Sequence, residues 1–252
     1  EAGIQRRKLA LLAEQDAEFA ARTSDAPIIE GAIANYETAF RMQSAVPGIA
    51  DIAGEPEYIR RLYGVDSADE HQRFYATQAL RARRLVEAGV RFVEITCPSF
   101  DGNNSPWDQH GQIRQNHAKN ARITDQSIAA LLEDLKQRGM LEDTLVIWGG
   151  EFGRTPTVEL TGHTKKEEYG RDHNPYGFTV WMAGAGVRKG YVHGATDEFG
   201  FRAVENIVHV HDLHATILHL MGFDHEKLTY RYAGRDFRLT DVAGLVVNEL
   251  MS

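Results

Sequence analysis

The sequence changes its pattern at Gly89, and this change limits the folds that the chain can adopt. Before Gly89, apolar residues recur mostly at helical spacing. After it, short runs at 91–96, 145–148 and 178–183 are typical of strands, and residues 116–138 carry the pattern of a long helix. Strand, helix and strand in this order predict an α/β fold with a mostly parallel sheet flanked by helices. In such sheets, ligands bind in the loops that follow the carboxyl ends of the strands.

The same change divides the chain into two predicted parts. Residues 1–88 form a helical N-terminal layer or subdomain, and residues 89–252 form an α/β domain with the metal site. The two parts can also be one continuous domain. Within them we expect helices over about 57–63 and 69–88, and a later helix with Asp212 as its N-cap.

Charge and composition exclude several classes of protein. The chain has 28 Lys and Arg residues against 36 Asp and Glu residues, so its net charge of −8 gives no overall attraction for nucleic acid. Cys97 is the only cysteine, which excludes an intrachain disulfide and a cysteine-rich zinc site. No apolar run reaches the roughly 20 residues of a transmembrane segment. We find no signal peptide pattern, and the localisation stays open.

A first polar cluster follows the predicted 91–96 strand. Asp108 and His110 are two residues apart, and on an extended segment such residues project from the same face. One metal ion can therefore take both as ligands. The alternative is a turn with a solvent-facing histidine.

Two further clusters lie beside the other predicted strands. Glu151 and Arg154 follow the 145–148 strand within a glycine-rich turn, where the guanidinium can hold an oxyanion through two hydrogen bonds. Arg171 and His173 precede the 178–183 strand and offer a second anion-binding group and a nitrogen ligand. The alternatives are exposed Glu–Arg and Arg–Asp pairs that serve only the local structure.

A rival metal site lies near the C-terminal end of the chain. His209 and His211 form a His-x-His pair, which can bind zinc. We rank this pair below the loop clusters because the neighbouring Asp212 is better placed to cap a helix.

Several blocks together resemble a known superfamily. Leu141 to Arg154 resembles the segment of alkaline phosphatases and sulfatases that ends in Ser-Asp-His-Gly, and Asp212 to Gly222 resembles their Asp-Leu-x-Pro-Thr-Leu-Leu helix. The closer resemblance is to an uncharacterised sulfatase-like family, planctomycete-type, that shares Tyr36 to Gln43, Gly170 to His173 and Leu228 to Asp241. It covers about residue 30 to the C-terminus. Members of that family are usually exported, which implies a periplasmic or exported protein.

The resemblance implies a metal centre and also a missing part. Asp108 and His110 resemble the superfamily's metal-binding Asp and His, Glu151 stands at an Asp ligand, and His173 resembles the late His ligand. Family members have a further N-terminal half with the nucleophile, so the resemblance implies either that this chain is the C-terminal portion or that the protein has lost the nucleophile half. Phe152 replaces a neighbouring His ligand, which puts full activity in doubt.

The sequence thus predicts a metal-dependent hydrolase of sulfate or phosphate esters, with small-molecule or polysaccharide esters as substrates. One divalent ion is expected on Asp108, His110 and His173, with Glu151 as a ligand or base. Nitrogen and oxygen ligands together favour Zn²⁺ or Mn²⁺ over Ca²⁺. Arg154 and Arg171 are expected to hold the tetrahedral anion. The alternative is a non-catalytic module that binds metal or sulfated ligands.

Overall fold

The computed structural model describes residues 2–22, 26–97, 106–160, 162 and 165–252. The helices in these residues are α1 (Ala2–Ala21), α2 (Ala26–Ala50), α3 (Glu57–Tyr63), α4 (Glu70–Glu87), α5 (Ile113–Gln137) and α6 (Val210–Leu220). The strands are β1 (Val146–Trp148), β2 (Gly153–Arg154), β3 (His173–Asn174), β4 (Trp181–Ala183), β5 (Ala195–Thr196), β6 (Ala203–Glu205), β7 (Thr229–Tyr232) and β8 (Arg235–Arg238). Among the described residues, none of the helices combines the length and apolar character needed to cross a bilayer.

The ends of α3 and α4 follow from local chemistry. The Asp69 carboxylate accepts the N–H groups of His71 and Gln72 at 2.9 and 3.2 Å, which caps the start of α4. Helix α3 ends at Gly64, whose φ of 85° lies in the left-handed region that glycine adopts without strain. The predicted helices over 57–63 and 69–88 are confirmed within a residue or two.

The main apolar core lies between α3, α4 and α5. Its buried side chains and the partly buried ones that pack against them come mostly from these three helices, and they are Ile59, Tyr63, Val65, Ala76, Ala79, Leu80, Ala130, Ile52, Leu62, Ile95 and Leu131. This core crosses Gly89, the predicted boundary between the two parts of the chain. The division at residue 88 stays a prediction.

A cluster of charges is buried beside this core. The Arg83 side chain is 1% exposed, and its Nη2 and Nε lie 2.7 Å from Glu55 Oε2 and 3.0 Å from Asp134 Oδ2. These are ion-pair distances, although the N–H groups are off hydrogen-bond alignment. The Tyr63 hydroxyl donates to Asp134 Oδ2 at 3.1 Å. Arg83 Nη1 also donates to Glu87 Oε2 at 2.5 Å, so the buried cation is compensated by three carboxylates, as its burial requires.

The sheets contradict the predicted fold class. The strands pair as β1–β4, β2–β3, β5–β6 and β7–β8, and every pair is antiparallel. The predicted α/β fold, with a mostly parallel, alkaline-phosphatase-like sheet, is therefore wrong for the described residues. Helix α5, which we expected as a crossover, packs against α3 and α4 instead. A strand pattern fixes an extended conformation but leaves the partner and its direction open.

The predicted strand over 91–96 is also absent from the sheets of the described residues. This segment has no regular secondary structure, and the Phe92 side chain is 73% exposed. Alternation of apolar and polar residues stabilises a strand only when one face is buried against a partner. Here a central element of the expected parallel sheet is missing.

Helix α6 begins three residues earlier than predicted. His209 is its N-cap, and His209 Nδ1 accepts the N–H of His211 at 3.3 Å. The Asp212 carboxylate accepts the N–H groups of His209 at 2.9 Å and of Leu245 at 2.7 Å. Asp212 therefore belongs to the first turn of the helix, where its charge favours the helix N-terminus, and its prediction as the N-cap is wrong.

Candidate metal centre

Three chain segments meet around residues 168–174, which we call the central segment. Residues 109–113 lie along one side of it and residues 153–159 along the other. The backbone hydrogen bonds on the first side are Gln112 N to Glu168 O (3.0 Å), Ile113 N to Tyr169 O (3.2 Å) and Arg171 N to Gln109 O (3.1 Å). Those on the second side are Thr155 N to Asp172 O and Glu159 N to Gly170 O, both 2.9 Å. The three segments thereby bring distant polar side chains to one place.

Gly170 allows the 109–113 segment to lie close to the central segment. A Cβ atom at this position would lie well under 3.0 Å from the carbonyl group of His110 and from the nitrogen of Gly111. Real Cβ atoms do not approach backbone that closely, so only glycine fits where the two segments meet. The glycine therefore sets the distance between the Asp108–His110 segment and His173.

Three of the predicted ligands form a tight triangle. Asp108 Oδ1 lies 3.1 Å from His110 Nε2 and 2.9 Å from His173 Nε2, and the two histidine nitrogens are 3.2 Å apart. The rings of His110 and His173 meet edge to face, with centroids 4.8 Å apart. The structure thus brings Asp108, His110 and His173 together, and we call these three residues the metal centre.

The triangle fits the bond lengths of a transition metal ion. A point about 2.1 Å from all three atoms, the usual distance for zinc, lies about 1 Å out of their plane. The angles between the ligands at that point are about 95°, so the ligands occupy one face of the ion. Among the described residues this group has no fourth protein ligand, and an ion held by three would keep a position for water or substrate, as catalytic zinc sites do.

Arg154 holds the Asp108 carboxylate in this position. Its guanidinium donates to Asp108 Oδ1, to the carbonyl oxygen of Arg171 at 3.0 Å and to that of Trp107 at 3.3 Å. The hydrogen bond from Arg154, followed by that from His173, lowers the pKa of Asp108 to about 2. The carboxylate is therefore charged at neutral pH, as a metal ligand must be.

Arg171 differs from Arg154 in its surroundings. Its side chain is half-buried, and within the described residues its guanidinium has no hydrogen bond or ion pair. The pKa of the nearby His117 is lowered mainly by burial, and the positive charges of Arg154 and Arg171 lower it further. The guanidinium of Arg171 is thus available to an anion, and the anion-binding role of both arginines stays a prediction.

Glu151 lies apart from the triangle. It is exposed, and the groups of potential metal ligands found among the described residues do not include it. Its neighbour Phe152 packs its ring 4.4 Å from the His173 ring. The role of Glu151 as a ligand or base stays a prediction.

Sequence reasoning missed Glu159 and gave Asp172 only a structural role. Glu159 Oε2 lies 2.7 Å from His110 Nδ1, and the ligand atoms of His110, Glu159 and Asp172 lie within 4.8 Å of one another. Glu159 belongs to no motif and is 49 residues from His110. Asp172 directly precedes His173, and this Asp-His pair was the sequence feature that could have indicated Asp172 as a potential ligand.

The rival histidine pair has a structural role. The Nδ1 atoms of His209 and His211 are 3.1 Å apart and their rings stack, with centroids 4.9 Å apart. However, His209 caps α6, and the pair belongs to none of the groups of three ligands found among the described residues. The triangle is thus the better site.

An apolar groove of about 700 Å³ begins at Trp107, the residue before Asp108. Its walls are three tryptophans and the apolar side of α5. The Trp148 ring stacks against Trp181 and meets Trp107 edge to face, each with centroids 6.3 Å apart. Aromatic walls of this kind bind apolar rings and chains.

Comparison with known proteins gives one match. Residues 1–251 match the family described as "Protein of unknown function (DUF1501)". This match contradicts the identification as a sulfatase-like family of the alkaline phosphatase/sulfatase superfamily, because it is a different family. It also contradicts the identification as the C-terminal portion of such a protein, because the family that matches is not the sulfatase-like one. No curated protein and no solved structure matches the chain.

Proposed function

We propose that this chain, which belongs to the DUF1501 family of proteins of unknown function, is a metal-dependent hydrolase of phosphate or sulfate esters. The observation that carries this proposal is the triangle of Asp108, His110 and His173, whose ligand atoms are 2.9–3.2 Å apart. Three protein ligands, with no fourth among the described residues, support a catalytic role for the ion.

Two imidazole nitrogens and one carboxylate oxygen favour Zn²⁺ or Mn²⁺ over Ca²⁺, which prefers oxygen ligands alone. A divalent ion bound there would polarise an ester oxygen and lower the pKa of a water molecule that it binds. The side chains hold the ion and orient the ester. Arg154 keeps the Asp108 carboxylate in place through its hydrogen bond.

Arg171 supplies the binding group for the tetrahedral anion. A guanidinium presents two parallel N–H groups to phosphate or sulfate oxygens, and that of Arg171 is not engaged within the described residues. Thr155, which follows Arg154 directly, is the nearest hydroxyl that could act as a nucleophile, but its hydroxyl donates to the carbonyl oxygen of Thr157 at 3.0 Å, which is a turn contact. Water is therefore the proposed nucleophile.

The groove beside the metal centre supports an ester with an apolar organic part. Trp107 joins the two features, since it lines the groove and its carbonyl oxygen accepts a hydrogen bond from Arg154 at 3.3 Å. A small aryl or alkyl ester fits a groove of about 700 Å³ better than a polysaccharide does.

A second candidate function is a non-catalytic module that binds metal and anions. The observation that favours it is the engagement of Arg154, whose guanidinium has three acceptors in the protein. With only Arg171 left for the anion, an ester can be bound without stabilisation of the charge that develops in its transition state.

Metal titration and an ester assay on the same samples test both candidates. Chelator-treated protein is titrated with Zn²⁺, Mn²⁺ and Ca²⁺ and then assayed with aryl phosphate and aryl sulfate. Asp108→Asn and His173→Ala remove one ligand each, and His209→Ala is the matched control at the rival site. We expect turnover that needs Zn²⁺ or Mn²⁺ and is lost in the first two variants only.

Each other result decides between the candidates. Metal binding that depends on His173, without turnover of either ester, would support the non-catalytic module. Metal binding that is lost only in His209→Ala would place the ion at the rival site. Absence of metal binding in the wild type would overturn both proposals.

A further inference from the structure

We infer that His110 is shared between two cations, and that a second divalent ion binds to its Nδ1 atom together with Glu159 and Asp172. We call these three residues the second site. The inference rests on the proposed metal centre, which takes the other ring nitrogen. It adds a metal site, and with it a second source of positive charge, beside the place where the ester anion would bind.

Both nitrogens of the His110 ring face potential ligands. Nε2 lies 3.1 Å from Asp108 Oδ1 and 3.2 Å from His173 Nε2, while Nδ1 lies 2.7 Å from Glu159 Oε2 on the other side. Because the two nitrogens of an imidazole point away from each other, two ions can bind the ring without competing for space. Binding through both nitrogens releases the remaining ring proton to solvent.

The second site has the ligands and the spacing that a cation needs. One ligand atom from each of its three residues lies within 4.8 Å of those of the other two, and the His110 nitrogen next to Glu159 is Nδ1, at 2.7 Å. Atoms about 2.1 Å from one ion are at most about 4.2 Å apart, so a small rotation of an exposed side chain completes the site. Asp172 is exposed and can make this rotation, whereas the side chain of Glu159 is only 24% exposed.

Backbone hydrogen bonds join the segment that carries Glu159 to the central segment, which carries Asp172. Glu159 N donates to Gly170 O at 2.9 Å, and Thr155 N donates to Asp172 O at 2.9 Å. The Asp172 carboxylate also accepts the N–H of His173 at 2.7 Å, which ties the second site to a ligand of the metal centre.

The charges distinguish the second site from the metal centre. The Asp108 carboxylate is compensated by Arg154, whereas within the described residues no Lys or Arg forms an ion pair with Glu159 or Asp172. The two carboxylates therefore offer a charge of −2 to one divalent ion, and the deprotonated ring of His110 adds a negative charge that both ions share. Such a mixed set of nitrogen and oxygen ligands suits Zn²⁺ and Cu²⁺.

The competing explanation gives Glu159 a smaller role. A carboxylate that accepts a hydrogen bond from Nδ1 orients a metal-binding histidine and raises its basicity. That role needs Glu159 alone and leaves Asp172 unexplained. The number of ions bound separates the two explanations, because an orienting carboxylate changes the affinity of one ion and adds no second ion.

Zinc titration by calorimetry, followed by elemental analysis after gel filtration, counts the ions. We expect two Zn²⁺ per wild-type chain and one in Glu159→Gln and in Asp172→Asn, both of which keep the size of the side chain. Glu198→Gln removes an exposed carboxylate elsewhere and is the matched control. With Cu²⁺, the wild type should lose electron paramagnetic resonance intensity through coupling across the ring, and Glu159→Gln should recover it.

The outcomes separate this inference from the proposed function. One Zn²⁺ in the wild type, with an affinity that falls 10- to 100-fold in Glu159→Gln, would overturn the second site and leave the metal centre in place. Two Zn²⁺ that persist in both variants would also overturn it. No Zn²⁺ in the wild type would overturn the metal centre itself.

Discussion

Replacing Gly170 by alanine should separate the two halves of the metal centre. The added Cβ meets the backbone of His110 and Gly111, which carries no flexible end that can move aside. Ordinary carbon contacts are about 3.5–4.0 Å long, so the 109–113 segment must move away from the central segment. Three backbone hydrogen bonds of 3.0–3.2 Å join these segments. At about 1 kcal/mol each, their loss lowers the free energy of unfolding by about 3 kcal/mol.

Urea unfolding and zinc competition titration measure the two consequences of Gly170→Ala. Besides the loss of stability, we expect zinc affinity to fall at least about tenfold, because His173 no longer meets the other two ligands. Gly54→Ala is the control, since a Cβ atom there has no neighbour within 4 Å. A Gly170→Ala protein with the stability and zinc affinity of the wild type would refute the argument that this contact sets the site.

Three further predictions concern stability. Arg83→Met should lower the free energy of unfolding by about 3 kcal/mol in urea titrations, since Glu55 and Asp134 lose their buried partner and keep only the partly exposed Arg84 and Arg138. Arg61→Met, at an exposed pair, should change it by at most about 1 kcal/mol. Burial raises the pKa of Glu55, but hydrogen bonds from Arg84 and Arg83 outweigh this, so its pKa lies below the ordinary 4.5. The stability that results is present above pH 4.5 and is lost as the pH falls through the lowered pKa. Glu55→Gln should flatten this decline of stability with falling pH. His209→Ala should cost about 0.5–2 kcal/mol in thermal unfolding through loss of the α6 cap, and a change in zinc affinity would contradict its structural role.

Helices were predictable from the sequence because their signals are local. Asp69 and Gly64 act through hydrogen bonds and backbone angles within a few residues of the helix ends. The start of α6 was misplaced because a histidine took the N-cap position that Asp212 fits by type. Both residues can accept a backbone N–H, and the preference between them depends on Leu245, which is 33 residues away from Asp212.

Strand pairing and the place of Glu159 beside His110 were not predictable, because they depend on contacts between residues that are distant in the sequence. The pattern of residues 145–148 identifies β1, but nothing local states that Trp148 lies opposite Trp181 in an antiparallel pair. Asp108 and His110 stood out because they are close in the sequence. Glu159 joins them only through the backbone contact of its segment with Gly170, which no spacing rule describes.

The meeting of three segments at Gly170 also has a consequence for how the chain folds. Asp108 and His173 are 65 residues apart, so the metal centre forms only after a long loop has closed. Such closure is opposed by chain entropy. Contacts between α3 and α5 close loops of similar length, 71 residues from Tyr63 to Asp134, but there the burial of apolar side chains offsets the closure entropy. The polar ligands of the centre gain no such burial and bind tightly only once an ion is present. The centre should therefore assemble after the folding transition state. Interactions absent from that state act on the unfolding rate, so bound zinc should slow unfolding and leave the refolding rate nearly unchanged.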